Sequence, residues 1–307
     1  MKTSKIIWIV LFCVMVVGSG IWFLGKRKGP VEGFLKNART EEAYRKATRL
    51  ITEGKKEEAA VLLEKFVSEA PASSMADEAL LSLGDLKREQ GQLLEARASY
   101  QKILESLPNS DSASLAQERL GQINLDILFS PFVTPSDQTV VVQPGDSLAR
   151  IAARTGTTVE LLSKANRLTS SLIQVGKKLK IPGGKFSIVV DKSQNILTLK
   201  SGEGVVKVYP VATGQGHSTP VGTFKVTNKL VDPVWYTVGA VVPPDSPQNI
   251  LGTRWMGLSA QGYGIHGTKD DSSIGKSVTA GCVRMHNPDV EELYSIIPIG
   301  TEVTIID

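Results

Sequence analysis

The sequence predicts a multidomain chain: an N-terminal transmembrane helix, an all-α segment of helical repeats, a small α+β module ordered β-α-α-β, and a C-terminal mainly-β domain. Three observations carry this. Nineteen uncharged, mostly apolar residues run from Ile6 to Leu24, apolar side chains recur at three and four spacing between Glu41 and Asp126, and short alternating strands broken by turn residues begin after Lys185. At 41% hydrophobic and 21% charged the composition is that of folded domains, not of a disordered or collagen-like chain, and 307 residues suffice for two or three of them.

The apolar run is flanked by Lys2 and Lys5 before it and by Lys26, Arg27 and Lys28 after it. At about 1.5 Å rise per residue it nearly spans the hydrocarbon core of a bilayer. Because it continues past the small residues Gly18, Ser19 and Gly20 through Ile21, Trp22, Phe23 and Leu24, residues 1–28 are expected to be an uncleaved anchor. The flanking charges balance, so charge alone leaves its orientation open. These five basic residues also account for the whole net charge of +4, and the rest of the chain sums to −1, so no nucleic-acid partner is expected. Of the two cysteines, Cys13 lies in the apolar run and Cys282 near the C-terminus, which excludes a disulfide between them across a membrane boundary.

Residues 41–127 contain an internal repeat. Gly54 to Pro71 realigns on Gly91 to Pro108 at an offset of 37, superposing the Gly, a Glu-Ala pair, a Lys, a hydrophobic pair and the Pro. This helix-hairpin pattern resembles tetratricopeptide repeats. Two units barely make a groove, so a spacer or dimerisation role is expected ahead of a protein partner. Residues 128–137, with Pro131 and Pro135, read as a linker.

In residues 138–182 a short strand leads to Pro144-Gly145, where Asp146 or Ser147 can cap a helix carrying Leu148, Ile151 and Ala152. A second helix carries Val159, Leu161, Leu162 and Ala165, and Leu179 to Ile181 returns as a strand. The Pro-Gly-Asp-Ser-Leu opening, the Ala-Asn-Arg-Leu segment and the Val-Gly-Lys-Lys-Leu-Lys-Ile-Pro close resemble a LysM domain over its full length. That resemblance implies a shallow groove for N-acetylglucosamine-containing glycan, with Gly145, Asp146, Ser147 and Leu148 on one side and Ile173 and Gln174 on the other. Read from the residues alone, Pro-Gly-Asp is equally a turn followed by an N-cap.

Residues 185–307 hold the constellation that carries chemistry: Gly264-Ile-His266-Gly267-Thr268, then Thr279-Ala-Gly281-Cys282-Val-Arg284. A thiol attacks as thiolate and needs a base, for which His266 is the candidate. Glycines beside both allow close backbone approach and leave amides for an oxyanion. Arg284, two residues past the thiol, falls on the same face of an extended segment, where it can clamp a carboxylate. A zinc site of Cys282, His266 and His286 is disfavoured because there is no second nearby Cys, so no metal is expected. His217 reads as a loop residue and His286 as a packing or capping residue.

His-Gly, a spacer, then Thr-x-Gly-Cys-hydrophobic-Arg, together with Thr219-Pro-Val-Gly-Thr-Phe224 and Trp255-Met-Gly-Leu, resembles the catalytic domain of the YkuD-like L,D-transpeptidases. The resemblance implies that Cys282 is the nucleophile, His266 the base and acid, and the Gly267 carbonyl the group orienting the imidazole. Thr279, Gly281 and Arg284 fall on substrate-side positions, and Ala280 replaces a side chain that is often basic or polar. No cofactor is implied. The implied reaction is peptidoglycan cross-linking of the 3→3 type through a cysteine acyl-enzyme, with stem peptides as donor and acceptor. Such chemistry puts the N-terminus inside and the remainder in the periplasm or wall space, on a single-pass membrane protein. Alternatives are an L,D-carboxypeptidase or protein-to-wall enzyme using the same thiol, and, from another class, a wall-binding scaffold.

Overall fold

The computed structural model describes residues 30–307, with side chains from Arg39 onward. The expected transmembrane helix, including Cys13, lies outside the described residues. Among the described residues no helix is long and apolar enough to cross a membrane.

Five helices come first: α1 (Pro30–Thr52), α2 (Lys56–Glu69), α3 (Ala76–Glu89), α4 (Leu93–Ser106) and α5 (Ala113–Leu128). The first begins well before residue 41, where apolar periodicity becomes visible. The repeat buries its small and large apolar positions together, with Ala59, Leu63 and Phe66 of α2 against Ala79, Leu80 and Leu83 of α3. The last helix does more than close this stack. Leu125 is buried in the core of the C-terminal domain, Leu128 packs against that core, and the Asn124 amide donates to the carbonyls of Val205 (3.3 Å) and Val206 (2.9 Å).

The small module has the expected order: β1 (Gln138–Val141), α6 (Leu148–Thr155), α7 (Val159–Ala165) and β2 (Lys178–Ile181), with β1 and β2 antiparallel. Ser147 caps α6 by accepting from the Arg150 amide at 3.2 Å, and Thr158 caps α7 by accepting from Leu161 at 2.9 Å. Its own core of Val142, Leu148, Ile151, Leu162, Leu179 and Ile181 is small, and the module is docked rather than tethered. Thr158 donates to the Ser295 carbonyl, the Lys164 ammonium donates to Ser295 Oγ at 2.9 Å, and Leu161 enters the core of the C-terminal domain.

That domain comprises β3 (Phe186–Asp191), β4 (Ile196–Ser201), β5 (Gly204–Pro210), β6 (Thr213–Gly214), β7 (Gly222–Val231), β8 (Trp235–Thr237), β9 (Ala240–Val242), β10 (Arg254–Leu258), β11 (Gly264–His266), β12 (Ser277–Thr279), β13 (Val283–Arg284), α8 (Asn287–Ile296) and β14 (Glu302–Ile306). Eight strands form one sheet in the order β13-β11-β10-β7-β14-β3-β4-β5. The edge strand β5 is covered by α5, so backbone groups that would otherwise face water are partly satisfied by Asn124. Helix α8 packs on the other end of the sheet, with Val290, Leu293 and Ile296 fully buried. Lys229 of β7 closes its C-terminus by donating to the carbonyls of Tyr294 (2.6 Å) and Ile297 (2.9 Å).

Candidate active site

The register at the β13 end of the sheet places the chemistry. Antiparallel pairing of β10 with β11 sets Trp255 opposite His266, and parallel pairing of β11 with β13 sets His266 opposite Arg284. The thiol of Cys282 sits just before β13. All four residues line one cleft of about 450 Å³, whose other walls are mostly apolar and include Trp235 and Tyr236 of the β8–β9 hairpin.

His266 is 2% exposed, and its ring stacks on Trp255 with centroids 5.9 Å apart. Nδ1 lies 2.6 Å from the Gly267 carbonyl, which can only accept, so Nδ1 carries the proton and Nε2 is left with a free lone pair. Burial pushes the imidazole down to about 4, the Gly267 carbonyl and more weakly the Leu251 backbone opposing this and the Arg284 charge adding to it. The imidazole is therefore neutral near pH 7. Cys282 donates weakly to the Gly262 carbonyl (3.8 Å), and burial raises its thiol above the usual value despite the Gly264 backbone and Arg284. At rest the two groups are a neutral thiol and a neutral imidazole.

The loop that holds the thiol is fastened by Thr279. Its hydroxyl donates to the Cys282 carbonyl at 2.7 Å and accepts from the Gly281 amide at 3.2 Å. The Gly281 amide, expected to be available for an oxyanion, is thus engaged by the Thr279 hydroxyl. Thr279 itself is buried and acts on the loop. Gly281 has φ +136°, and a Cβ there would stand 2.6 Å from the Tyr263 ring and 3.0 Å from the Ser218 carbonyl, so no larger residue fits. Ala280 is exposed and lines the cleft.

Arg284 exchanges backbone hydrogen bonds with Ala212 (2.9 and 2.8 Å). Its side chain has no carboxylate partner among the described residues, and its Nε is buried without a hydrogen-bond partner. A half-buried, unpaired guanidinium beside a thiol suits an anionic group on a substrate.

The other residues singled out from the sequence lie away from this cleft. In the small module Ser147 serves as N-cap, and Asp146 accepts from the Gln143 amide (2.9 Å) and pairs with Arg154 (3.2 Å). Leu148 is 4% exposed and belongs to the module's core, while Gly145 and Gln174 are exposed and Ile173 is half-buried. Neither remaining histidine reaches the cleft: His217 contacts Asp307 at 3.2 Å and His286 contacts Asp271 at 2.7 Å at the start of α8. No cluster of metal-ligating residues occurs among the described residues. Asn287, which sequence reasoning did not single out, binds the backbone behind His266 through contacts 19 and 34 residues away in sequence. No local pattern announces a side chain of that kind.

Comparison with known proteins agrees with the geometry. The family model described as the L,D-transpeptidase catalytic domain (YkuD) matches residues 185–305, that of the LysM domain residues 140–182, and that of a tetratricopeptide repeat residues 78–110. The chain is 39% identical over 172 residues to the Bacillus licheniformis protein named L,D-transpeptidase YkuD, covering 53% of this chain and 96% of that one. It is 42% identical over 133 residues to Bacillus subtilis YqjB, likewise named an L,D-transpeptidase, covering 41% of this chain and 74% of that one. A solved L,D-transpeptidase from Mycobacterium smegmatis aligns with a TM-score of 0.34 at 20% identity, covering 44% of this chain and 65% of that one. The Bacillus licheniformis relative is matched over 96% of its length at 39% identity, and the catalytic-domain model covers the sheet that carries Cys282, so this chain belongs to the YkuD family of L,D-transpeptidases.

Proposed function

We propose that the enzyme forms 3→3 cross-links in peptidoglycan through a thioester on Cys282. The observation that carries this reading is the convergence of the thiol, a neutral buried imidazole and an unpaired guanidinium on one mostly apolar cleft. His266 Nε2 takes the thiol proton as sulfur attacks the carbonyl at the L-centre of diaminopimelate in a donor tetrapeptide stem, and the Cys282 amide receives the developing oxyanion. The C–N bond to the terminal D-alanine breaks, and the imidazolium returns the proton to that leaving amine. The amine on the D-centre of a neighbouring stem then attacks the thioester, its surplus proton passes to His266, and the thiol is regenerated. Arg284 is assigned to a substrate carboxylate, and Thr279 and Gly281 to holding the thiol loop.

The LysM module would concentrate the enzyme on N-acetylglucosamine-containing glycan by raising effective concentration, through Gly145, Asp146, Ser147, Ile173 and Gln174, with Leu148 holding the first of these loops from the core. Residues 1–28 would anchor the chain in the membrane with its catalytic part in the periplasm or wall space. The test is mass spectrometry of muropeptides after incubating a tetrapeptide-rich substrate with the full chain and with Cys282→Ala. Cysteine-dependent dimers joined through two diaminopimelates support the proposal. Cysteine-dependent tripeptides alone would make the enzyme a carboxypeptidase, and no difference between the two proteins would make it a wall-binding scaffold.

A further inference from the structure

Behind His266 the backbone is gathered by one side chain. Asn287 Oδ1 accepts from the amides of Thr253 and Thr268, each at 3.1 Å, and Nδ2 donates to the Thr268 carbonyl at 2.7 Å. The peptide between Gly267 and Thr268 is therefore held by its own N–H, and its oxygen is the group that accepts from His266 Nδ1 at 2.6 Å. The fit leaves no slack. A Cβ on Gly267 would stand 2.1 Å from Asn287 Oδ1, and one on Gly252 would stand 2.3 Å from it. Asn287 is itself fixed at the first turn of α8, next to Pro288, and the Met285 amide donates to the His266 carbonyl at 2.8 Å.

We propose that Asn287 is a positioning residue that sets the tautomer and aim of His266 by locking the Gly267–Thr268 peptide. The inference rests on His266 being the base of the reaction proposed above. An amide suits this place because it accepts two N–H groups and donates to one carbonyl with no net charge. A peptide free to rotate would let the Gly267 carbonyl leave Nδ1, and the ring could then carry its proton on Nε2, facing the thiol with no lone pair to offer. Among the described residues, Arg284 on β13 is the charge that acts on the imidazole and Cys282 shares its cleft, while on β10 the Arg254 guanidinium lies near Asp232 and Glu291. On α8, His286 contacts Asp271 and Asp289 lies near Lys207.

The test uses the full chain in detergent, with Asn287→Ala and Asn287→Asp. The chain has three histidines, so imidazole nitrogen and proton signals can be assigned one by one. In Asn287→Ala, we expect His266 to lose its single Nδ1–H tautomer and kcat to fall about 100-fold at nearly constant KM, as for a misaimed catalytic group. In Asn287→Asp, the new carboxylate should move the His266 titration upward from about 4. A wild-type tautomer and titration in both variants, or a loss of activity that only parallels a loss of folded protein, would overturn the inference. Failure of the underlying reading looks different: His266→Gln or Cys282→Ala would then keep their turnover.

Discussion

Lys180, on the second strand of the LysM module, is 3% exposed and donates its ammonium to the carbonyl of Ile127 at 2.9 Å, at the C-terminal end of the last repeat helix. The Ser130 carbonyl (3.0 Å) and the Asp137 carboxylate (3.5 Å) complete its surroundings, and burial lowers its pKa. One charge therefore joins repeats, linker and module. Replacing Lys180 by Met leaves Asp137 buried beside an apolar stem and takes the ammonium donor from the Ser130 carbonyl, while the Ile127 carbonyl keeps the Ser130 hydroxyl. We expect a loss of about 3 kcal/mol in denaturant unfolding. Adding Asp137→Asn should return part of it, because the pair then contains no uncompensated charge. Additive losses would show that the two charges act independently.

The repeats are wired into the catalytic domain through α5. Leu125→Ala should cost about 3 kcal/mol, since it opens a cavity in the core shared by helix and sheet. Deleting residues 41–110 while keeping α5 should preserve turnover of soluble muropeptides, whereas deletion through residue 128 should expose β5 and give insoluble or inactive protein. A fully active enzyme lacking all five helices would return the repeats to the role of a detachable spacer.

Much of this was legible in sequence. The offset repeat, the strand–helix–helix–strand pattern and the His266 and Cys282 contexts are local, because caps, turns and periodicity act over a few residues. The docking of modules was not. Lys180 reads as one of a run of solvated lysines, and Asn124 as an ordinary polar position on a helix, until partners about 50 and 80 residues away are in place. The same holds for the idle Gly281 amide that the sequence suggests: whether it is free depends on where the Thr279 hydroxyl points.

Thr279→Val should separate loop support from substrate contact. It removes one hydrogen bond from the Cys282 carbonyl and one from the Gly281 amide, so we expect kcat/KM to fall roughly 10-fold to 100-fold. Thr279→Ser, which keeps the hydroxyl, should stay within a few-fold of wild type. Equal losses in both variants would point to the methyl group, and hence to packing.

The depressed His266 pKa has a consequence for stability. An unfolded chain binds a proton there below about 6.5, while the folded chain resists until about 4. The unfolded state binds more protons in that window, so its contribution to stability is complete above pH 6.5, falls as the pH drops towards 4, and changes no further below it. The loss is about 3 kcal/mol. His266→Gln should flatten the stability curve between pH 4 and 6.5, and an unchanged slope would contradict the burial of a neutral ring.

The proposed reaction passes through a thioester on Cys282, which can be trapped. The full chain is mixed with a tetrapeptide donor whose D-centre amine is blocked by acetylation, so that no acceptor amine is present, quenched in acid, and the Cys282 peptide is weighed. We expect an adduct equal in mass to the donor minus D-alanine, on Cys282 and not on Cys13, and none in Cys282→Ala. Release of D-alanine by the Cys282→Ala protein, or turnover with the adduct on another residue, would contradict it.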